Sequence, residues 1–249
     1  MTQLMGKVAI ITGASKGIGA GIAKAMAAAG ASVVVNYATA RDGAERVVQA
    51  IHGAGGRAIA VQGDVARAGD VLRLFAEAIA AFDKVDVLVN NAGVFTFEPL
   101  EAVTEDEFHR HFNINVLGTL LTMQEAVKAF GSRGGSIINI SSIASQNPTE
   151  SSVVYSASKA AVGTMTLALS RELGARKIRV NAIAPGGVAS EGLARVGILG
   201  SEREQQIVAL TPLGRFGQPE DIARVAVFLA SDAAAWLTGE RISVSGGWR

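Results

Sequence analysis

Residues 12–19 read Thr12-Gly13-Ala14-Ser15-Lys16-Gly17-Ile18-Gly19, and they connect an apolar run at residues 8–11 to an Ala-rich stretch that continues to residue 30. The apolar run predicts a buried strand and the Ala-rich stretch predicts a helix, so the glycines occupy a tight turn between the two. Glycine lets the backbone of such a turn approach a ligand, and the first turn of the helix adds a positive dipole. The turn is therefore suited to holding phosphate groups. The alternative is that the glycines serve only the tight turn.

The rest of the chain repeats this alternation of short apolar runs and longer helical patterns. Further runs lie at residues 33–35, 58–61, 87–89, 137–140, 180–183 and 242–244, and helix candidates lie near residues 17–30, 41–54, 67–82, 104–130, 152–175 and 219–230. Most of the runs are apolar throughout, as strands covered on both faces are. The pattern predicts an α/β fold over residues 1–249: a single doubly wound Rossmann domain with a parallel sheet of about seven strands and helices on both faces. The irregular stretch at residues 187–211 predicts a substrate lid.

The composition excludes several classes of protein. The 249 residues include 23 basic and 22 acidic side chains and no cysteine. This balance of charge argues against binding to nucleic acid or to an anionic membrane, and the lack of cysteine excludes disulfides and thiolate chemistry. His52, His109 and His111 are the only histidines, and we predict no metal site. The sequence carries neither a signal peptide nor an apolar segment that could span a bilayer, so we expect a cytoplasmic protein.

The glycine turn is typical of dinucleotide sites, and the residues after the second predicted strand bear on which dinucleotide is bound. That strand ends in Asn36-Tyr37, without the acidic residue that usually binds the ribose 2′-hydroxyl of NAD. Lys16 and Arg41 can pair with a 2′-phosphate, although both can also be ordinary surface charges. The sequence therefore favours NADP(H) over NAD(H).

Polar residues also follow the third and fourth predicted strands. Asp64-Val65 follows the third strand, where the carboxylate can meet the adenine amine or simply form a turn. The fourth strand ends in Asn90, and Asn91-Ala92-Gly93 continues the chain there. Because ligands of such sheets lie at the carboxyl ends of the strands, we expect these amides near the cofactor ribose. The alternative for this segment is a plain Asn-Gly turn.

Tyr155 and Lys159 lie four residues apart in a predicted helix, which places a phenol and an ammonium on one face. A free phenol has a pKa near ~10, and a nearby ammonium favours the phenolate and lowers that pKa. The pair is therefore a candidate acid and base. On its own, such a pair is more often a solvated helix face.

Two further positions have alternatives that the residues alone leave open. Ser142 ends the fifth predicted strand and can donate a hydrogen bond to a substrate carbonyl, and its neighbour Ser141 is an alternative donor. Asn115 lies in a helical stretch that asparagine disfavours, which suggests that it holds a water molecule or a helix distortion. Asn113 is the alternative at this position.

These motifs, in this order and spacing, resemble those of the short-chain dehydrogenase/reductase family across essentially the whole chain, and in particular of its 3-oxoacyl-carrier-protein reductases and related ketone reductases. The resemblance implies a catalytic tetrad, in which it selects Ser142 over Ser141 and Asn115 over Asn113. Tyr155 is then the acid, Ser142 orients the carbonyl, Lys159 binds the nicotinamide ribose, and Asn115 supports a water relay. The cofactor contacts so assigned are Gly13, Ser15, Lys16, Gly17, Ile18, Gly19, Asn36, Tyr37, Arg41, Asp64, Val65, Asn91, Ala92, Gly93, Tyr155, Lys159, Pro185, Gly186, Val188 and Ser190.

The resemblance also implies a homotetramer. One interface would hold the two long helical stretches at residues 104–130 and 152–175, and the other would hold the C-terminal helix and strand. Arg133 and Arg176 fall where carrier-protein reductases have basic residues that meet the acidic carrier, although each can be an ordinary surface charge. The partner would then be a carrier-protein-bound acyl chain rather than a free small-molecule ketone.

The leading interpretation is an NADPH-dependent carbonyl reductase that acts on a 3-oxoacyl thioester or on a small or aromatic ketone. Apolar residues between positions 191 and 206 favour an uncharged ketone over a sugar. A sugar or secondary-alcohol dehydrogenase, similar to glucose 1-dehydrogenase, is the alternative that shares the same site. A dinucleotide-binding sensor without catalysis is the remote alternative, since all four tetrad residues are present.

Overall fold

The computed structural model describes residues 3–248 and contains one sheet of seven parallel strands. The strands are β1 (Val8–Ile11), β2 (Ser32–Tyr37), β3 (Arg57–Gln62), β4 (Val87–Asn90), β5 (Gly135–Ile140), β6 (Ile178–Pro185) and β7 (Arg241–Val244). They lie in the order β3-β2-β1-β4-β5-β6-β7. Strands β1 to β3 are added toward one edge of the sheet and strands β4 to β7 toward the other, so the strand order reverses between β1 and β4. A crevice opens at the carboxyl ends of these two strands.

Helices cover both faces of the sheet. They are α1 (Gly17–Ala28), α2 (Arg41–Gly53), α3 (Ala68–Phe82), α4 (Glu105–His111), α5 (Gly118–Phe130), α6 (Val153–Leu173), α7 (Glu191–Arg195), α8 (Glu202–Ala209) and α9 (Pro219–Ala230). Among residues 3–248, no helix combines the length and the apolar composition needed to cross a membrane.

Alternate residues of the central strands belong to two separate hydrophobic cores, one on each face of the sheet. Ala9 and Ile11 of β1 pack with α1, α2 and α9 on one face, whereas Ile10 packs with α3, α5 and the end of α6 on the other. The side chains of a strand alternate between faces, so a strand buried on both sides must be apolar throughout. This arrangement confirms the predicted fold class.

The helix predicted over residues 104–130 is the main difference from expectation. The structure divides this stretch into α4, a π-helix at Phe112–Leu117 and α5. Asn115 lies inside the π-helix, whose wider turn re-aims side chains and is frequent at functional sites. The irregular region at residues 187–211 also contains two short helices, α7 and α8, which the sequence pattern did not indicate.

A chain of buried hydrogen bonds crosses the centre of the sheet. Thr122 Oγ1 of α5 donates to Asn90 Oδ1 at 2.6 Å, Asn90 Nδ2 donates to Asn139 Oδ1 at 2.9 Å, and Asn139 Nδ2 donates to Thr166 Oγ1 of α6 at 2.9 Å. All four side chains are buried. Because unpaired polar groups are costly in an apolar interior, the chain ties β4 and β5 to both helices in one register.

We predict that Thr166→Val lowers the free energy of unfolding by about 1–3 kcal/mol, because it leaves the Asn139 amide without its oxygen acceptor. Urea denaturation measures the loss. Thr164→Val is the matched control. Thr164 and Thr166 each donate to the carbonyl four residues earlier, but Thr164 is exposed. The control should change stability by less than about 0.5 kcal/mol. Equal effects of the two variants would contradict a role for the buried chain.

Candidate active site

A cavity of about 980 Å³ occupies the carboxyl edge of the sheet. It extends from the glycine turn after β1, past the ends of β2 to β6, to the region of α7 and α8. Of the predicted site residues, all but Arg41 and Asn115 line this cavity. The fold therefore brings together residues that are spread over more than 170 positions of the sequence.

The three glycines of the turn after β1 have different roles. A Cβ atom on Gly13 would lie 2.8 Å from Ala92 Cα, and one on Gly19 would collide with Asn91 Nδ2, so both positions need glycine for packing against the loop after β4. Gly17 has a φ of +55°, and the space beside it is bounded only by Ser190 and Glu191. Gly17 thus has more open space beside it than the other two glycines, all three of which line the cavity.

An anionic group already occupies the amino terminus of α1. The Glu191 carboxylate, at the start of α7, accepts a hydrogen bond from the Gly17 backbone N–H at 2.9 Å. Backbone N–H groups and the helix dipole favour anions at this position, and the Glu191 carboxylate shows that an anionic oxygen can bind there. The site therefore fits the diphosphate of a dinucleotide.

The end of β2 differs in detail from the sequence-based assignment. Asn36 is buried, and its side chain accepts from Gly13 N at 3.2 Å and donates to Gly63 O at 3.0 Å, so it braces the turn internally. Tyr37 and Lys16 line the cavity. Arg41 does not line it, and its guanidinium pairs with Glu45 at 2.7 Å.

Asp64 and Asn91 both line the cavity and both brace the local backbone. Asp64 Oδ1 accepts from Ala66 N at 3.0 Å, which is the turn contact expected of an aspartate at this position. Asn91 Nδ2 donates to Thr12 O at 2.9 Å and to Gly13 O at 3.0 Å, and thereby ties the loop after β4 to the glycine turn.

Tyr155, Ser142 and Lys159 meet beyond this turn. The Lys159 Nζ atom lies 6.0 Å from the centroid of the Tyr155 ring and donates to Ile140 O at 2.9 Å. Burial raises the pKa of Tyr155, and a hydrogen bond from Ser142 opposes that rise. Burial also lowers the pKa of Lys159 to about 8. We expected the ammonium to lower the pKa of the phenol; desolvation instead has the largest effect on it.

The two serines at the end of β5 have separate partners. Ser142 Oγ accepts from Ala144 N at 3.1 Å, which leaves its own proton free for donation toward Tyr155. Ser141 Oγ donates to the backbone carbonyl of Lys159 at 3.0 Å and is 2% exposed. Ser141 thus fixes the helix that carries Lys159.

Asn115 lies behind the cavity and supports its wall. Its side-chain amide accepts from Val94 N at 2.8 Å and donates to Val94 O at 3.0 Å and to Ser158 Oγ at 2.9 Å. The three contacts tie the π-helix to the loop after β4 and to α6, next to Lys159. Its side chain therefore acts as a brace.

Sequence reasoning missed the aromatic part of the cavity. The rings of Phe95 and Phe97 lie 6.2 and 6.0 Å from the Tyr155 ring, both edge-on, and Phe216 and Trp248 line the same cavity. Phe95 and Phe97 lie two and four residues after the Asn-Asn-Ala-Gly segment. That closeness to predicted cofactor contacts could have indicated that they line the site. Phe216 and Trp248 come from distant loops that only the fold brings near.

Comparison with known proteins agrees with this geometry. A family model described as "Enoyl-(Acyl carrier protein) reductase" matches residues 13–249. The chain is 55% identical to an uncharacterized oxidoreductase of Methylorubrum extorquens over 100% of both chains. It is 41% identical to versicolorin reductase of Emericella nidulans, with 98% of this chain and 96% of the relative covered.

The chain belongs to the short-chain dehydrogenase/reductase family. Among solved structures, an angucycline C-6 ketoreductase with bound NADP, LanV, superimposes with a TM-score of 0.92 at 37% identity and covers 98% of this chain and 96% of that one. The protein is therefore an oxidoreductase of a family that binds nicotinamide cofactors, as the motifs predicted.

The buried Lys159 gives a pH-dependent stability that can be tested without a substrate. Because its pKa falls from 10.5 to about 8 on folding, the folded state releases this proton at a lower pH than the unfolded state. Stability from this group should therefore rise with pH between about pH 8 and pH 10. Urea denaturation of wild type and Lys159→Met over this range measures the difference. Parallel curves for the two proteins would contradict the shift.

Proposed function

We propose that this protein is an NADPH-dependent reductase of ketones whose carbonyl lies on or beside an aromatic ring. One observation carries the proposal: Tyr155 lies where the glycine-bounded part of the cavity meets its aromatic part, with its hydroxyl beside Ser142 and its ring against Phe95 and Phe97. A carbonyl at that junction would contact an acid on one side and an apolar wall on the other.

When bound, a nicotinamide supplies the hydride that reaches the carbonyl carbon. The Ser142 hydroxyl, whose acceptor side is occupied by Ala144 N–H, donates to the carbonyl oxygen and orients it. Tyr155 protonates the same oxygen as negative charge develops there. The Lys159 ammonium lies close enough to stabilise the phenolate that remains.

The raised pKa of Tyr155 supports reduction over oxidation. Burial raises the pKa of Tyr155, which favours the protonated phenol, and this is the form that donates a proton to a ketone oxygen. A sugar or secondary-alcohol dehydrogenase would need the phenolate as a base. Two relatives are named for reductions, one as a versicolorin reductase and one as a ketoreductase, which agrees with this direction.

The preference for NADPH rests on charge at the end of β2. Residues 36–40 contain no carboxylate that would repel a 2′-phosphate, and Lys16 lines the cavity beside them. A ketoreductase of similar structure was solved with bound NADP. A 2′-phosphate would gain a charge-assisted hydrogen bond from Lys16.

A free ketone is a better candidate substrate than a carrier-bound acyl chain. Arg133 donates to Ala129 O and Arg176 donates to Val127 O, each at 3.0 Å. Both therefore cap the last carbonyls of α5, a structural role that accounts for them without an acidic carrier. They also precede β5 and β6, at the edge of the sheet opposite Tyr155.

A homotetramer also belongs to the proposal. Leu117 at the end of the π-helix, Leu120 of α5 and Leu167 of α6 are exposed, as are Phe228 of α9 and the fully accessible Trp236 before β7. These positions lie on the two surfaces that the family resemblance assigns to the interfaces. Burying such side chains against other copies would remove apolar area from water.

We predict that Tyr155→Phe lowers kcat for the NADPH-dependent reduction of 1-tetralone by at least about 10²-fold, because the proton donor is lost. The dissociation constant for NADPH should stay within about twofold, since the cofactor cradle is unchanged. Initial rates and fluorescence titration with NADPH measure the two quantities. Retention of near-wild-type turnover would overturn the proposed mechanism.

We predict that Lys16→Ala raises KM for NADPH by about tenfold and leaves KM for NADH unchanged, because one charge-assisted contact is lost. Arg41→Ala is the matched control, since Arg41 pairs with Glu45 outside the cavity lining. The sequence alone assigned both cations to the phosphate. Equal losses in the two variants would restore that assignment, and an unchanged KM in both would refute it.

A further inference from the structure

The segment that carries Phe95 and Phe97 has no regular secondary structure. Residues 91–99 connect β4 to the region before α4 without strand or helix. The two phenyl rings lie 6.0 Å apart at an interplanar angle of 49°, and each meets Tyr155 edge-on. A wall of this kind has no ladder of backbone hydrogen bonds to position it, so side-chain contacts must do so.

The two ends of the segment are held by hydrogen bonds to their backbone groups. Asn115 bonds both the N–H and the carbonyl of Val94, and Glu98 N donates to Ser151 O at 2.8 Å. These contacts bracket the two phenylalanines and leave the residue between them to be positioned by other means.

That residue is Thr96, and its hydroxyl is held from α4. Thr96 Oγ1 donates to Glu107 Oε1 at 2.5 Å and accepts from Arg110 Nη2 at 2.8 Å. Arg110 in turn donates to both oxygens of Glu107, at 2.8 and 2.7 Å. The Thr96 hydroxyl thus uses both its donor and its acceptor capacity on one charged pair.

The Glu107 carboxylate is partly buried and permanently charged in the working range of pH. Its side chain is 19% exposed, and the Arg110 hydrogen bond lowers its pKa to about 2. His111, which is 1% exposed, lies 3.2 Å from the same carboxylate through Nδ1, and its ring lies 6.5 Å from the Tyr155 ring. The carboxylate that holds Thr96 therefore also contacts a buried histidine whose ring lies edge-on to Tyr155.

The helix does not need Thr96 for its own stability. Glu107 and Arg110 are three residues apart on α4, and their ion pair forms within the helix without any contribution from Thr96. The contact with Thr96 spans 11 residues from Glu107 and 14 from Arg110, and its loss would leave the helical pair intact. Its effect falls on the loop.

We propose that Glu107, acting through the Thr96 hydroxyl, is a positioning residue that fixes Phe95 and Phe97 against Tyr155 and thereby sets the preference for aromatic ketones. The substrate side of this inference rests on the function proposed above. An aromatic ketone would touch both rings, whereas a small aliphatic ketone would reach only Ser142 and Tyr155. Greater mobility of Phe95 and Phe97 therefore weakens binding of the aromatic ketone and leaves binding of the aliphatic ketone unchanged.

The test compares Thr96→Val, which keeps the shape and loses the hydroxyl, with Thr96→Ser, which keeps the hydroxyl. Steady-state rates are measured with 1-tetralone and with 2-butanone. We expect Thr96→Val to raise KM for 1-tetralone by about tenfold, with kcat and the NADPH dissociation constant within about twofold of wild type. Thr96→Ser should behave as wild type, and kcat/KM for 2-butanone should be unchanged in both.

Two carboxylate variants on one helix extend the test. Glu107→Gln should reproduce the effect of Thr96→Val, whereas Glu105→Gln should have none, since the Glu105 carboxylate is exposed and pairs with His109 rather than with Thr96. Hydrogen exchange of residues 94–97, measured without any substrate, should accelerate in Thr96→Val and not in Thr96→Ser. The thermal midpoint of each variant shows that the fold is retained.

Unchanged KM and unchanged exchange in Thr96→Val would overturn the inference, and so would an equal rise in KM for both ketones. If wild type reduces neither ketone, the proposed function fails. The exchange measurement then still tests whether Glu107 and the Thr96 hydroxyl position the segment. Faster exchange confined to residues 94–97 of Thr96→Val supports that role, and unchanged exchange refutes it.

Discussion

The close approach of the turn after β1 to the loop after β4 is the constraint on which the site depends. Asn91 donates to two carbonyls of the turn, and Thr12 Oγ1 accepts from the backbone N–H groups of Asn91 and Ala92, each at 3.0 Å. Any side chain on Gly13 or Gly19 would collide with this loop. The contact exists because β1 and β4 are neighbours in the sheet although about 75 residues separate them in sequence. It sets the distance between the part of the cavity suited to phosphates and the part that holds Tyr155.

The chemistry of the site comes from burial as much as from residue type. Desolvation raises the pKa of Tyr155 and lowers that of Lys159, so both groups move toward their neutral forms. Ser142 opposes the shift of the tyrosine, and Ile140 O holds the ammonium. A bound cofactor would add its own charges beside both groups. The tyrosine is therefore kept as an acid, and the pKa of the lysine falls to about 8.

Several polar residues at or behind the cavity make hydrogen bonds that brace the scaffold. The Asn36 side chain forms hydrogen bonds with Gly13 and Gly63, and the Asn115 side chain forms hydrogen bonds with Val94 and Ser158. The family resemblance assigned Asn36 to the cofactor and Asn115 to a water relay. Their bracing contacts cannot be read from a motif, because a motif records only residue type. The distinction matters for mutagenesis, since loss of a brace lowers activity by displacing other groups. The Glu191 carboxylate on Gly17 N is a similar case, because sequence distance hides the contact.

The sequence by itself determined the layered fold, since apolar runs of strand length alternate with helical patterns and local periodicity suffices to indicate both. It also determined the glycine turn and the Tyr155-Lys159 pair, because each lies within a single turn of backbone. Only the tertiary structure decided the rest. The π-helix around Asn115, the pairing of Arg41 with Glu45, and the aromatic wall of Phe95, Phe97, Phe216 and Trp248 depend on which distant segments meet. Periodicity is a property of neighbours in the chain, whereas the burial and hydrogen bonding that set a side chain's role depend on neighbours in space.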